Sequence, residues 1–252
     1  MAQLAPEYIP LVFYLTCFIL VIKILTITFI SVKLIRRRGE EYAIAHAFMR
    51  AMLTLIVCLL VSRLFYMVFD FIYTKFDTTL YVSWTNICIG SMCFDIQVTT
   101  FWKLGQLIIG CGLAYIVFIV DRKILEFKFK GIFAYIMIAG SLLTLFWPVN
   151  TMADFEFIST LGILPQLGML ILFFVFLNIA RKSSGRIRTT AVIIILAFIL
   201  YGVAALAVNA GLIAALNSAL GTDVTLYMYL IQTTMKTVGI IFMAMGASRW
   251  GT

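Results

Sequence analysis

The chain has 252 residues, of which 63% are hydrophobic and 12% charged, and its formal net charge is +8. Soluble domains contain roughly 45–50% apolar and about 25% charged residues, so the composition excludes an ordinary soluble domain and indicates an integral membrane protein. The length suits seven spans of about 20 residues and leaves no room for a separate soluble domain of roughly 100 residues. We predict one transmembrane domain over residues 1–252.

Seven apolar stretches follow one another along the chain, separated by polar residues. They cover roughly residues 9–32, 45–72, 98–120, 131–149, 157–180, 190–216 and 224–248. Each exceeds the ~18 residues expected of a spanning helix and is too continuous for a membrane β-barrel. The first stretch lacks a positive segment before it and a convincing cleavage site after it, so we expect a retained helix. The predicted fold is an all-α bundle of seven transmembrane helices.

Basic residues are concentrated in alternate loops. The loops after the first, third and fifth spans and the C-terminal tail contain thirteen: Lys33, Arg36, Arg37, Arg38, Arg122, Lys123, Lys128, Lys130, Arg181, Lys182, Arg186, Arg188 and Arg249. The N-terminus and the other loops contain only Lys75. Because short basic loops stay on the cytoplasmic side, we predict a cell-membrane protein with its N-terminus outside and its C-terminus in the cytoplasm. Topology and anionic lipids thus account for the net charge, and nucleic-acid binding is not expected.

The longest predicted outer loop, residues 73–97, contains two of the five cysteines within the apolar segment LYVSWTNICIGSMCF. An oxidising exterior would permit a disulfide between Cys88 and Cys93, and the sequence leaves open whether it forms. We expect a short hairpin or interfacial helix here, which could cap a cavity. The only histidine, His46, lies at the cytoplasmic end of the second span, so no metal site is expected.

Motifs of the common membrane enzymes and of duplicated transporters are missing. The chain contains no Gly-rich phosphate loop, G-x-S-x-G or H-E-x-x-H motif, so we expect no enzyme activity and no cofactor. An odd number of spans without a matched broken pair does not divide into inverted repeats. Pro165, flanked by Gly162 and Gly168, predicts a kink in the fifth span.

Polar residues from five predicted spans fall in the outward half of the bundle. The candidate ligand-binding residues are Arg63, Asp70, Lys103, Gln106, Gln166, Asn209, Gln232 and Lys236. Each needs a partner or water in hydrocarbon, so we predict an outward-facing polar cavity. Three cations face one acid, which favours a small anion or an anionic lipid headgroup as the ligand. Alternatively, these residues bond one another across helices and specify packing only.

Two resemblances concern the middle and the end of the chain. A lysine midway along the last span resembles the retinal-binding lysine of microbial rhodopsins. Gln232 stands where that family has an acid, and Lys103 and Gln106 stand where it has a third-helix carboxylate, so we do not expect retinal. The segments AYIVFIVDRKILEFKFKGI and MKTVGIIFMAMG resemble parts of uncharacterised archaeal-type seven-helix membrane proteins and of the seven-helix sensor modules of histidine kinases. The second resemblance implies no catalytic residue.

The predicted cavity favours a sensor or ligand-binding membrane protein. No kinase or transducer domain follows Thr252, so signalling would need a separate cytoplasmic protein that contacts the basic loops. The first alternative is a permease or channel for a small anion, in which the same cations line a path. A structural or assembly subunit and a rhodopsin-like retinal protein are further alternatives. The sequence lacks a continuous polar lining through the cytoplasmic half, which ranks sensing above transport.

The charge asymmetry predicts which loops an impermeant thiol reagent reaches. In a background without free cysteines, Thr78→Cys and Ser218→Cys should react from outside intact cells, because both positions lie in loops with few basic residues. Ser184→Cys lies in the basic loop between the fifth and sixth spans, so it should react only after the membrane is permeabilised. Labelling in the reverse sense would invert the predicted topology.

Overall fold

The computed structural model describes residues 6–36, 43–89, 92–208 and 210–250. Within these ranges the chain is predominantly helical. The helices are α1 Ile9–Arg36, α2 Ala43–Met67, α3 Thr99–Lys123, α4 Ile132–Phe146, α5 Met152–Leu161, α6 Ile163–Lys182, α7 Gly185–Ala207, α8 Ala210–Leu220 and α9 Thr225–Arg249. Strands β1 Trp84–Ile89 and β2 Met92–Gln97 form an antiparallel hairpin between α2 and α3.

Six helical segments of the described chain are long and apolar enough to cross a bilayer. They are Pro6–Arg36, Ile44–Tyr73, Thr99–Lys123, Met152–Lys182, Gly185–Ala207 and Thr225–Arg249. The helix in the predicted fourth span, α4, has 15 residues and measures about 22 Å, less than the ~30 Å of a hydrocarbon core. It ends early because Trp147 precedes Pro148, and a residue before proline prefers the extended conformation that Trp147 adopts. The fold is an all-α multi-pass membrane bundle.

Two of the predicted spans are each divided into two helices. The fifth breaks at Gly162, between α5 and α6, three residues before the proline at which we predicted a kink. Pro165 instead occupies the third position of α6, where a first-turn residue needs no backbone N–H bond within the helix. The sixth span, predicted as residues 190–216, is divided as well. Its first helix, α7, stops at Ala207, and α8 follows as a separate short helix.

We predicted either a short hairpin or an interfacial helix in the outer loop, and the structure contains a hairpin. A π-helical segment, Val68–Tyr73, continues α2 toward it. Cys88 and Cys93 are directly opposite in the strand register and are joined by a disulfide. The Gln97 side chain donates a hydrogen bond to the Val149 carbonyl after α4, which ties the hairpin to the bundle.

The bundle has two ends that differ in charge. The basic end is defined here by Arg36, Lys123, Lys182 and Arg249 in the last turns of α1, α3, α6 and α9. The hairpin end is the opposite one. At the basic end, the buried carboxylate of Asp121 accepts hydrogen bonds from the backbone nitrogens of Phe129 (3.0 Å) and Gly131 (2.8 Å). These bonds fix the connection from α3 to α4.

Small residues let the helices approach one another closely. A Cβ added at Gly112 of α3 would lie 2.7 Å from Cys58 Cβ of α2, and one at Gly239 of α9 would lie 3.1 Å from the Ala197 carbonyl oxygen of α7. Membrane helices commonly associate through such residues because lipid supplies no hydrophobic drive between helices. Tight contacts of this kind fix which helix faces meet.

Two glycines in the bundle should respond oppositely to alanine. A Cβ at Gly110 of α3 would lie 1.8 Å from Ser141 Oγ and 2.9 Å from Ser141 Cβ of α4, whereas a Cβ at Gly202 of α7 would meet no atom within 4 Å. Gly110→Ala should therefore lower the free energy of unfolding by about 1–3 kcal/mol through overpacking. Gly202→Ala should raise it by about 0.5–1 kcal/mol, because alanine favours a helix.

Reversible unfolding in detergent measures both free energies. Adding Ser141→Gly to Gly110→Ala removes the clashing atoms and should recover most of the loss. Equal destabilisation by the two alanine variants would contradict the packing described for α3 and α4.

Candidate functional site

A cavity of about 590 Å³ lies between α2, α3, α6, α7 and α9. Pockets for small molecules typically measure about 300–1,000 Å³. Five of the eight candidate residues line it: Arg63, Gln106, Gln166, Gln232 and Lys236. The structure thus brings together polar side chains from four of the five helices that line the cavity.

Two of these residues share a face of α9 because they are one turn apart. Gln232 is buried, and Lys236 lies 11 residues after Thr225, the first residue of α9, so it is about 16 Å along the helix. This places Lys236 near the middle of a 25-residue helix. The one-turn spacing in the sequence was a sufficient signal for the pair.

Arg63 connects the cavity to α1. Its Nη2 donates a hydrogen bond of 2.9 Å to Thr16 Oγ1. A second bond between the same two helices runs from the buried Lys23 Nζ to the Leu59 carbonyl oxygen, at 2.6 Å. A guanidinium has five N–H donors, so Arg63 can contact Thr16 and still present donors to the cavity that it lines.

Lys236 has a different environment from the buried lysines Lys23 and Lys103, and its own side chain is half-buried. Its Nζ lies 6.0 Å from the centroid of the Tyr201 ring, which is at the outer limit of a cation–π contact. Within the described part of the chain, no oxygen accepts a hydrogen bond from this nitrogen and no carboxylate pairs with it. An ammonium in an apolar bundle without an acceptor is costly.

Lys103 lies outside the cavity lining although the sequence placed it in the site. Its side chain is buried, and its Nζ donates a 2.6 Å hydrogen bond to the carbonyl oxygen of Trp147, directly after α4. A cation is favourable there because the C-terminal carbonyls of a helix carry partial negative charge. The predicted group of three cavity cations is therefore reduced to Arg63 and Lys236.

Asp70 and Asn209 are the other two predicted residues that the structure does not place in the cavity. Asp70 is buried in the π-helical segment, and within the described ranges its Oδ1 has no hydrogen-bond partner. Tyr81 from the outer loop lies nearby: burial raises the pKa of its phenol, and the Asp70 carboxylate adds to this shift. Asn209 lies outside the described residues.

The sequence did not predict most of the apolar lining. Trp102, Phe173, Phe198 and Tyr201 contribute aromatic side chains. Ordinary core residues have the same composition and periodicity, so no sequence signal separated these four from the rest of the core. The hairpin, which we expected could cap the cavity, contributes none of the lining residues that the structure describes.

Comparisons with protein-family models, curated proteins and solved structures find no match for this chain. What is established therefore comes from the chain itself. It is a multi-pass membrane protein with long apolar helices and a cavity among them.

Replacing Lys103 or Lys236 with methionine should affect stability differently, because within the described chain only Lys103 of the two has a carbonyl acceptor. Lys103→Met removes a charge-assisted bond to the Trp147 carbonyl and should lower the free energy of unfolding by about 1–3 kcal/mol. Lys236→Met replaces an ammonium that has no such acceptor with an apolar side chain of similar length. Without added ligand, it should leave the stability unchanged or raise it. Denaturation in detergent compares the two, and a larger loss in Lys236→Met would contradict the assigned contacts.

Proposed function

We propose that this protein is a membrane sensor or ligand-binding protein that binds an anion in the cavity between α2, α3, α6, α7 and α9. The observation that carries the proposal is the charge of the lining. Its described residues include two cations, Arg63 and Lys236, and no carboxylate. A bound anion would offset the cost of holding both half-buried charges in an apolar bundle.

The chemistry of the two cations favours a carboxylate or a phosphate. Arg63 can donate two parallel N–H bonds to such a group, and Lys236 adds a point charge with rotatable donors. The amides of Gln106, Gln166 and Gln232 can each donate or accept a hydrogen bond around the anion. We propose no enzyme activity, because the sequence contains no Gly-rich phosphate loop, G-x-S-x-G or H-E-x-x-H motif.

The charge pattern supports an orientation that puts the cavity on the extracellular side of the bundle. We propose seven passes, with α4 as a short fourth one, so that the basic end faces the cytoplasm. The cavity then lies in the outer half of the bundle, and the N-terminus is outside. The basic loops are available to a cytoplasmic protein partner that would read ligand binding.

The packing of the basic end favours binding over transport. Buried apolar side chains fill the interior there, including Met52, Ile56, Phe176, Ile194 and Met243, each at most 1% exposed. An anion permease, the main alternative, would have to open this core during each cycle. A receptor needs only a small rearrangement to pass a signal, and close-packed helices supply discrete alternative arrangements.

A thermal-shift experiment on the purified protein tests the proposal. Sodium acetate, benzoate, phosphate and sulfate are compared at constant ionic strength with sodium chloride as the reference. An anion at a hundredfold excess over its Kd should add about 2.7 kcal/mol to the free energy of unfolding. Arg63→Gln and Lys236→Gln should abolish the shift.

Two controls make the result specific. Lys182→Gln removes a cation at the basic end and should leave the shift intact. Thr16→Val removes the α1 partner of Arg63 without removing a charge, so it should lower stability with every salt and keep the anion effect. If none of the anions stabilises the wild-type protein, the proposed anion site is wrong.

A further inference from the structure

The cavity has a mouth on its α6–α7 side. Four aliphatic residues that line it from these helices are also well exposed: Leu170 (52%), Ile199 (41%), Val203 (42%) and Leu206 (62%). A residue that both lines a cavity and is exposed lies at the opening. All four belong to segments that are long and apolar enough to span a bilayer, so this opening faces hydrocarbon.

The mouth lies far along α7 from the connection between α6 and α7. The helices are tied at the basic end, because only Ser183 and Ser184 separate them. The mouth residues of α7 are 14 to 21 positions beyond its start, about 21–31 Å from this connection. Gly202 lies between them without a side chain, and no atom lies within 4 Å of the place where its Cβ would be.

The lining changes character from one side of the cavity to the other. Arg63 and Lys236 come from α2 and α9, whereas the mouth residues on α6 and α7 are aliphatic. Of the twenty lining residues that the structure describes, twelve have no polar atom in the side chain. A small hydrated anion would satisfy the cations and leave water against these apolar walls, which is unfavourable.

We infer that the cavity binds a single-chain anionic amphiphile, which enters from the bilayer between α6 and α7. Its anionic head contacts Arg63 and Lys236, and its hydrocarbon chain leads out past Leu170, Val203 and Leu206. This inference rests on the proposed anion site and names the ligand class for it. The head of such a ligand pairs with the two cations, and its chain displaces water from the aliphatic walls.

The anionic head of the ligand, and not its hydrocarbon chain, should determine which amphiphile binds. A chain that moves from lipid to aliphatic protein walls stays in an apolar environment, so it gains little. Discrimination then comes from charge-assisted hydrogen bonds to the head. Dodecanoate should therefore bind at least about tenfold more tightly than dodecanol, although their chains are alike.

Photolabelling of the full chain in lipid nanodiscs tests the inference. The probe is a dodecanoate with a diazirine at the end of its chain. We expect saturable labelling on peptides that contain Leu170, Val203 or Leu206. Excess dodecanoate should abolish the labelling, and dodecanol at the same mole fraction should not.

Two variants test the head and the mouth separately. Lys236→Gln should weaken the saturable labelling at least about tenfold by removing one of the two charges. Gly202→Trp places a large side chain in the open space of the mouth and should block labelling. Val192→Trp is its matched control, because Val192 is exposed on α7 but does not line the cavity, so labelling should persist.

The outcomes separate this inference from the proposed function. If acetate or phosphate stabilises the protein through Lys236 while dodecanoate does not compete, the anion site stands and the amphiphile is wrong. Equal competition by dodecanol, or full labelling in Gly202→Trp, also overturns the inference. If no anion of either kind binds, both proposals fail.

Discussion

A polar atom inside hydrocarbon must find its partner within the protein, and this constraint organises the bundle. Two buried lysines meet it with backbone oxygens: Lys23 bonds to the Leu59 carbonyl and Lys103 to the Trp147 carbonyl, each at 2.6 Å. Both bonds join different helices, so the charges also fix how those helices are placed. A buried cation that serves packing is thus recognised by an acceptor on a neighbouring helix.

Lys236 departs from this pattern, so the cavity is lined by a cation that has no carbonyl acceptor among the described residues. Its Nζ has an aromatic ring at 6.0 Å where the other two lysines have a carbonyl oxygen. Arg63, on the same cavity, is bonded to Thr16 and still keeps donors in excess. In the function that we propose, a bound anion would supply the acceptors that Arg63 and Lys236 lack within the described part of the protein.

Close packing decides where such a site can lie. Glycines on α3 and α9 bring these helices against their neighbours, and a continuous apolar core fills the basic end. Toward the hairpin end, residues of α6 and α7 such as Leu170 and Leu206 line the cavity and do not belong to this core. The same helices thus contribute residues both to the apolar core and to the cavity.

The sequence by itself determined the membrane class, the helical fold and most of the polar side of the cavity. Hydropathy fixes which segments leave water, and helical spacing fixes that Gln232 and Lys236 share a face. Only the tertiary structure decided that Lys103 is satisfied by a carbonyl, that Asp70 lies off the cavity, and that α6 and α7 leave a mouth. Spacing along one helix gives no information about its rotation against a neighbour. Every residue also has a carbonyl group, so an acceptor such as that of Trp147 leaves no mark in the sequence.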